Sequence, residues 1–210
     1  MPSVVQICNM ALSHIGEEAS VSSISPPDGS VNAGLCATFY DAVRTEMLET
    51  GDFNFSLKRA ALAEVTNTST TWAYAYAKPS DCLKAKRIPY PLDAVTVFTQ
   101  DDTSYNPNDR GGAEFDIEGE VIYTNEPEAV LLYVRDVTDS TKFTPSFTTA
   151  LSYLLASYLA GPIIKGSEGT RVGDAMRERA TSIGNASATT AANASTTVTD
   201  FNPSSLKARA

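Results

Sequence analysis

Apolar side chains recur most densely over residues 145–164, PSFTTALSYLLASYLAGPII. Phe147, Leu151, Leu154, Leu155, Tyr158 and Leu159 fall at spacings of three and four, and Ala150, Tyr153, Ala156 and Ala160 fill the flank beside them. The pattern predicts a core helix of about four turns. Pro145 suits its first turn, and Gly161-Pro162 predicts its end because proline cannot continue the hydrogen-bond ladder. A membrane span needs roughly 20 apolar residues; hydroxyls interrupt this run and it ends sooner, so burial inside protein is expected. Two amphipathic stretches precede it. Val4, Ile7, Cys8, Ala11, Leu12 and Ile15 form one stripe over residues 3–15, closed by Gly16. Val31, Leu35, Phe39, Ala42, Val43, Met47 and Leu48 form a second, with Asp28 as the expected N-cap and Gly51 as the end. Helices with one short stripe need an apolar partner, and the 145–164 helix is the one expected.

The period changes after Gly51. Trp72-Ala73-Tyr74-Ala75-Tyr76-Ala77 alternates aromatic with alanine at period two, as a strand with an aromatic core face does. Residues 82–88 and 95–99 supply further strands, and 100–112, QDDTSYNPNDRGG, is turn-forming throughout and reads as an exposed loop. Phe115 and Ile117, the Glu118-Gly119 turn, then Val121 and Tyr123 read as a hairpin beside a strand over 130–134. The middle of the chain is therefore a small, mostly antiparallel sheet. Past Gly161-Pro162, the glycine-rich stretch 166–173 reads as a flexible helix–helix connection, and a weaker helix runs from about Thr170 into the 190s with sparse apolar positions Val172, Met176, Ala180 and Ile183. From Asn185 the sequence is rich in Ala, Ser and Thr, so that it is either disordered or pinned to a partner. The predicted class is α+β: a helical bundle of residues 1–51 and 143–192, an inserted β-rich region of 52–142, and an extended C-terminal tail of 193–210.

Charge narrows the function. Sixteen basic against twenty-five acidic residues give a net charge of −9, which argues against a broad DNA-binding face. The N-terminus lacks a basic n-region and a continuous apolar run, so an intracellular protein is expected. Cys8, Cys36 and Cys82 are odd in number and widely spaced, which suits buried thiols and neither a disulfide framework nor a zinc cluster.

Candidate chemistry is thin. His14 is the only histidine, so histidine-dependent catalysis would rest on one residue in a predicted helix. The 166–173 glycines lack the Gly-Lys-Ser/Thr ending of a phosphate loop, and the Asp-rich 101–109 stretch lacks the order of EF-hand ligands. Asp116, Glu118 and Glu120 on the hairpin are the only candidate carboxylates for a glycan hydrolase, and the common reading is a solvated face. The Trp72, Tyr74, Tyr76 stripe has no basic interleaving for stacking on bases. No catalytic, metal or cofactor residues are assigned, and an interaction protein is expected. A free intracellular scaffold module stays open beside the hydrolase.

The ordered series ICNMALSHIGE, DGSVNAGLCATFYDAVRTEML, DFNFSLKRAALA, WAYAYAKPSDCLK, IYTNEPEAVLLYVRDVTD and FTPSFTTALSYLLASYLAGPI, covering residues 4–164, resembles the tail tubular protein A family. These are the head-to-tail adaptors of short-tailed bacteriophages. The resemblance implies a helical bundle with an inserted β-rich region and no enzymatic role. It also implies a ring, usually of twelve subunits, between portal protein and tail nozzle in the virion, through which genome DNA passes without specific binding. By analogy the C-terminal tail docks on the portal or a neighbouring subunit. Phe201, Pro203 and Leu206 are its apolar or extended anchors, and Lys207 and Arg209 its charges.

Overall fold

The computed structural model describes residues 2–51, 53–89 and 112–194, with side chains as far as residue 186. The expected strand over 95–99, the loop from 100 to 111, and Phe201, Pro203, Leu206, Lys207 and Arg209 lie outside the described residues. The architecture is α+β, with four α-helices and two antiparallel sheets among the described residues.

Helix α1 (Val4–His14) opens with a capping box, in which Ser3 and Gln6 satisfy each other's backbone N–H, and it buries Ile7, Cys8, Ala11 and Leu12. Helix α2 (Val31–Thr50) is capped by Ser30, whose hydroxyl accepts from the Ala33 amide at 3.1 Å. Asp28, the expected cap, fixes the loop before it. Its carboxylate accepts from the Ser22 amide at 2.7 Å and from the Ser30 amide at 2.9 Å. Those bonds, the one from the Ser22 backbone foremost, hold the acid well below the usual carboxylate range.

The buried face of α2 keeps Val43, Met47 and Leu48 of the predicted stripe, with Leu35 and Phe39 half-buried against the same core, and departs from it at the other positions. Ala33, Cys36, Tyr40, Val43, Arg44, Met47 and Leu48 face inward, while Val31 is 79% exposed and Ala42 is also exposed. Apolar residues occur around most of this helix, so its packing partners choose the buried side.

Helix α3 (Pro145–Ile164) is the organising element. It is long and apolar enough to cross a membrane, but α1, α2 and helix α4 (Gly166–Ala194) lie against it, and Phe147, Leu151, Leu155 and Leu159 are fully buried. It does not stop at Gly161-Pro162. Proline's missing N–H costs one bond in the last turn, and Gly161 has no Cβ to clash with the ring that follows it. The corner comes at Lys165 and Gly166, both with positive φ.

Nor are the glycines after it a flexible connection: α4 begins at Gly166 and packs on α3 through them. A Cβ on Gly169 would sit 2.9 Å from the carbonyl oxygen of Ala160, and one on Gly173 would sit 3.0 Å from that of Ser157. Residues 185–194, expected to be disordered or pinned to a partner, continue the helix.

Between α2 and α3 the described residues form eight strands. These are β1 (Leu57–Ala61), β2 (Ala63–Glu64), β3 (Tyr74–Ala77), β4 (Cys82–Pro89), β5 (Gly112–Ala113), β6 (Phe115–Glu118), β7 (Val121–Thr124) and β8 (Val130–Arg135). They do not form the one small sheet expected. Two four-stranded sheets form, ordered β1-β8-β4-β5 and β2-β3-β7-β6. One residue separates β1 from β2, and one separates β5 from β6, so two bent strands carry the chain from sheet to sheet at the corners. The result is a small antiparallel barrel filled by Leu62, Tyr76, Ile88, Ile122, Leu131 and Tyr133.

Trp72 precedes β3 rather than lying on it. Tyr76 is buried in the barrel and donates to the Glu126 carbonyl at 2.9 Å. Ala75 on the opposite face is equally buried. Val65 N–H bonds its carbonyl at 2.9 Å, and Thr68 meets the Tyr123 hydroxyl at 3.0 Å, so the 65–72 segment covers that side.

The barrel joins the bundle at an aromatic junction. Phe53 and Phe55, entering β1, and Phe143, leaving β8, all pack on Phe147 at centroid distances of 4.7 to 5.0 Å. Val134 and Val137 extend the same core from the β8 side.

Candidate functional site

His14 ends α1, where its ring stacks on Tyr153 of α3 at 3.9 Å and 11°. Its Nε2 lies 3.0 Å from the Ser152 hydroxyl, superficially a nucleophile and base. The wiring is otherwise. Ser152 is fully buried and donates its hydroxyl proton to the Thr149 carbonyl at 2.8 Å, so Nε2 carries a proton and donates to Ser152. A protonated Nε2 has no lone pair with which to activate that serine. Burial first, and the Arg179 charge second, push the imidazole below its ordinary pKa and hold it neutral. The pair fastens α1 to α3.

An open concavity of about 640 Å³ flanks the outer side of α1, lined by Pro2, Gln6, Asn9, Met10, Ser13 and His14, with Ala19 beyond. Its polar groups serve the chain's own backbone. Asn9 holds Val21 with two bonds of 2.9 and 3.1 Å, Ser13 donates to the Asn9 carbonyl, and Gln6 completes the helix cap. Nothing converges on a ligand there.

The hairpin carboxylates Asp116, Glu118 and Glu120 are exposed, and the concavity described does not include them. Asp116 accepts from the adjacent Ile117 amide at 2.8 Å. Among the described residues no three His, Cys, Asp or Glu side chains gather to hold a metal ion. Cys8, Cys36 and Cys82 are buried free thiols on α1, α2 and β4.

The charged groups that are organised join elements. Arg44, 4% exposed, bonds Asp136 and, at 3.0 Å, the Val137 carbonyl, tying α2 to the segment after β8. Glu46 takes the Tyr158 hydroxyl at 2.6 Å and the Arg177 guanidinium at 2.8 Å, tying α2, α3 and α4. Lys58 and the Tyr133 hydroxyl both bond Asp81 at 2.7 Å. The Lys58 bond is the larger cause of a lowered Asp81 pKa, with Tyr133 next. None of these residues stood out in sequence. Arg44 had a signal, since it lies four residues after Tyr40 and three before Met47 on a buried stripe, where a charge requires a partner.

No protein-family model matches the sequence, and no curated protein matches it either.

Proposed function

We propose that the chain is a structural head-to-tail adaptor of a short-tailed phage virion. In this reading it forms a ring, of twelve subunits as in the family it resembles, between portal and tail nozzle, and its central hole extends the channel for genome DNA. The observation that carries the reading is the architecture: a helical bundle interrupted by a β-rich insertion is what the ordered motifs of residues 4–164 imply. The chemistry is compatible with it. The His14–Ser152 contact and the three charged networks act as fasteners between elements, which suits a building block. An acidic chain also suits a DNA conduit, because a wall that bound phosphates tightly would retard the moving genome.

Electron microscopy of the protein mixed with portal provides the test. A ring with a central hole, seated on the portal, is expected. A monomer that binds neither portal nor nozzle would overturn the reading in favour of a free scaffold, and turnover of cell-wall glycan dependent on the hairpin carboxylates would overturn it in favour of an enzyme. The assigned docking residues are tested separately by deleting residues 196–210. Portal co-sedimentation is then lost while the melting temperature holds.

A further inference from the structure

The charges of the barrel are sorted by sheet. The strands of β1-β8-β4-β5 carry Lys58, Arg59, Lys84, Lys86, Arg87 and Arg135 and no acidic residue. Those of β2-β3-β7-β6 carry Glu64, Asp116 and Glu118 and no basic residue, and Glu120 follows in the hairpin turn. In a chain of net charge −9, a sheet free of acids is a departure from the rest of the molecule.

Register shows which of these charges face outward. Leu131 and Tyr133 belong to the barrel interior, so Leu132 between them faces out; it pairs with Arg59 on one side and Arg87 on the other. This Arg59-Leu132-Arg87 row lies one step beyond the Leu57-Val134 pair that packs on the helices. In the second sheet Ile122 is fully buried inside, so its neighbours Val121 and Tyr123 face out, opposite Glu118 and Asp116. The outer faces of two packed sheets point in opposite directions. Among the described residues, the barrel is thus cationic on one side and anionic on the other. Arg59 is exposed and makes no ion pair among the described residues; Asp116, Glu118 and Glu120 are exposed as well.

We infer that the occupant of the Arg59-Leu132-Arg87 face is a second copy of this chain, which presents its β6–β7 hairpin. Complementary patches on opposite sides of one subunit make a heterologous, head-to-tail contact, and repetition of such a contact closes a ring when the rotation per subunit divides a full turn. Half-buried Leu132 supplies an apolar centre between the two arginines, and the hairpin acids surround it. The attraction also offsets locally the repulsion among subunits that are each acidic, and it sets which face meets which. This inference rests on the ring reading above and names the surfaces that build the ring.

The test uses full-length protein carrying R59E or E118K, two exposed positions, with melting temperature as the check on folding. Each variant alone sets like charge against like, and self-association at about 0.15 M salt falls at least tenfold. An equimolar mixture regains wild-type rings, because each R59E face then meets an E118K hairpin and the remaining contacts in the alternating ring are wild type. Mass photometry and electron microscopy read both results. Rings of wild-type strength from either folded variant alone would overturn the proposed interface and leave the ring itself standing. Failure of the folded variants to recover on mixing would do the same. A wild-type chain that stays monomeric, with portal and without it, would remove both the ring and the interface.

Discussion

The close approach of α4 to α3 gives a prediction whose sign is opposite to that of helix propensity. Replacing glycine by alanine inside a helix ordinarily stabilises by about 1 kcal/mol. At Gly169 the added Cβ would lie 2.9 Å from the Ala160 carbonyl oxygen, a backbone atom that moves only if the helices separate. Overpacking of this kind costs about 1–3 kcal/mol. The net for Gly169→Ala is a loss of about 1 kcal/mol, or about 2–4 °C in melting temperature for a chain of this size. Gly34 in α2 is the internal control, because a Cβ there meets nothing within 4 Å. Gly34→Ala is expected to gain about 0.5–1 kcal/mol, since only the propensity acts. Thermal and urea unfolding of both variants beside wild type give the comparison. If Gly169→Ala rises in stability alongside Gly34→Ala, the helices are not in contact through that glycine and the account of α4 fails.

Removing Asp136 by substitution to Ala leaves Arg44 buried with the Val137 carbonyl as its remaining strong partner; chemical denaturation should show a loss of about 2–4 kcal/mol, at the lower end because Asp136 is partly exposed. Asp81 has a lowered native pKa, so its contribution is full above the ordinary aspartate value of about 3.9 and is lost as pH falls through the native value. Carboxyl titration by NMR should place it below the ordinary aspartate value, and Lys58→Met should bring it back up; a titration at or above the ordinary value counts against the network. His14 has a lowered native pKa, so the unfolded chain binds the proton first and stability declines as pH falls from about 6.5 through the native value. His14→Phe should flatten the slope of melting temperature against pH between about 7.5 and 5, whatever it does to the melting temperature itself.

The stripes of α1 and α3 were legible because their large apolar residues lie where the fold buries them. In α2 the stripe held for Val43, Met47 and Leu48, with Leu35 and Phe39 packed beside them, but it missed the buried Ala33, Cys36 and Tyr40 and included the exposed Val31 and Ala42: size alone does not choose a face when apolar residues occur on several sides. Gly169 and Gly173 read as a loop because glycine most often marks one, and only the neighbouring backbone shows that their spacing of four serves a helix contact. Alternation located several strands, yet period two carries no information about partners, so closure into a barrel was invisible. The same limit hid the charge polarity. Lys58-Arg59 and Lys84-Ala85-Lys86-Arg87 lie apart from Asp116 and Glu118 along the chain, but only strand pairing assigns them to opposite sheets.

The aromatic junction at the base of the barrel bears on how the molecule assembles. Bringing α2 and α3 together in an unstructured chain means closing a loop of about 90 residues, an entropic cost that grows as the logarithm of length and comes to about 4 kcal/mol before its constant term. A barrel that has already folded removes most of that cost, because its first and last strands, β1 and β8, are paired side by side and deliver Phe53, Phe55 and Phe143 to one place. The insertion then works as a clamp for the helices it interrupts. Loosening the β1–β8 ladder should slow collapse of the helical core even though the substituted residues lie outside that core.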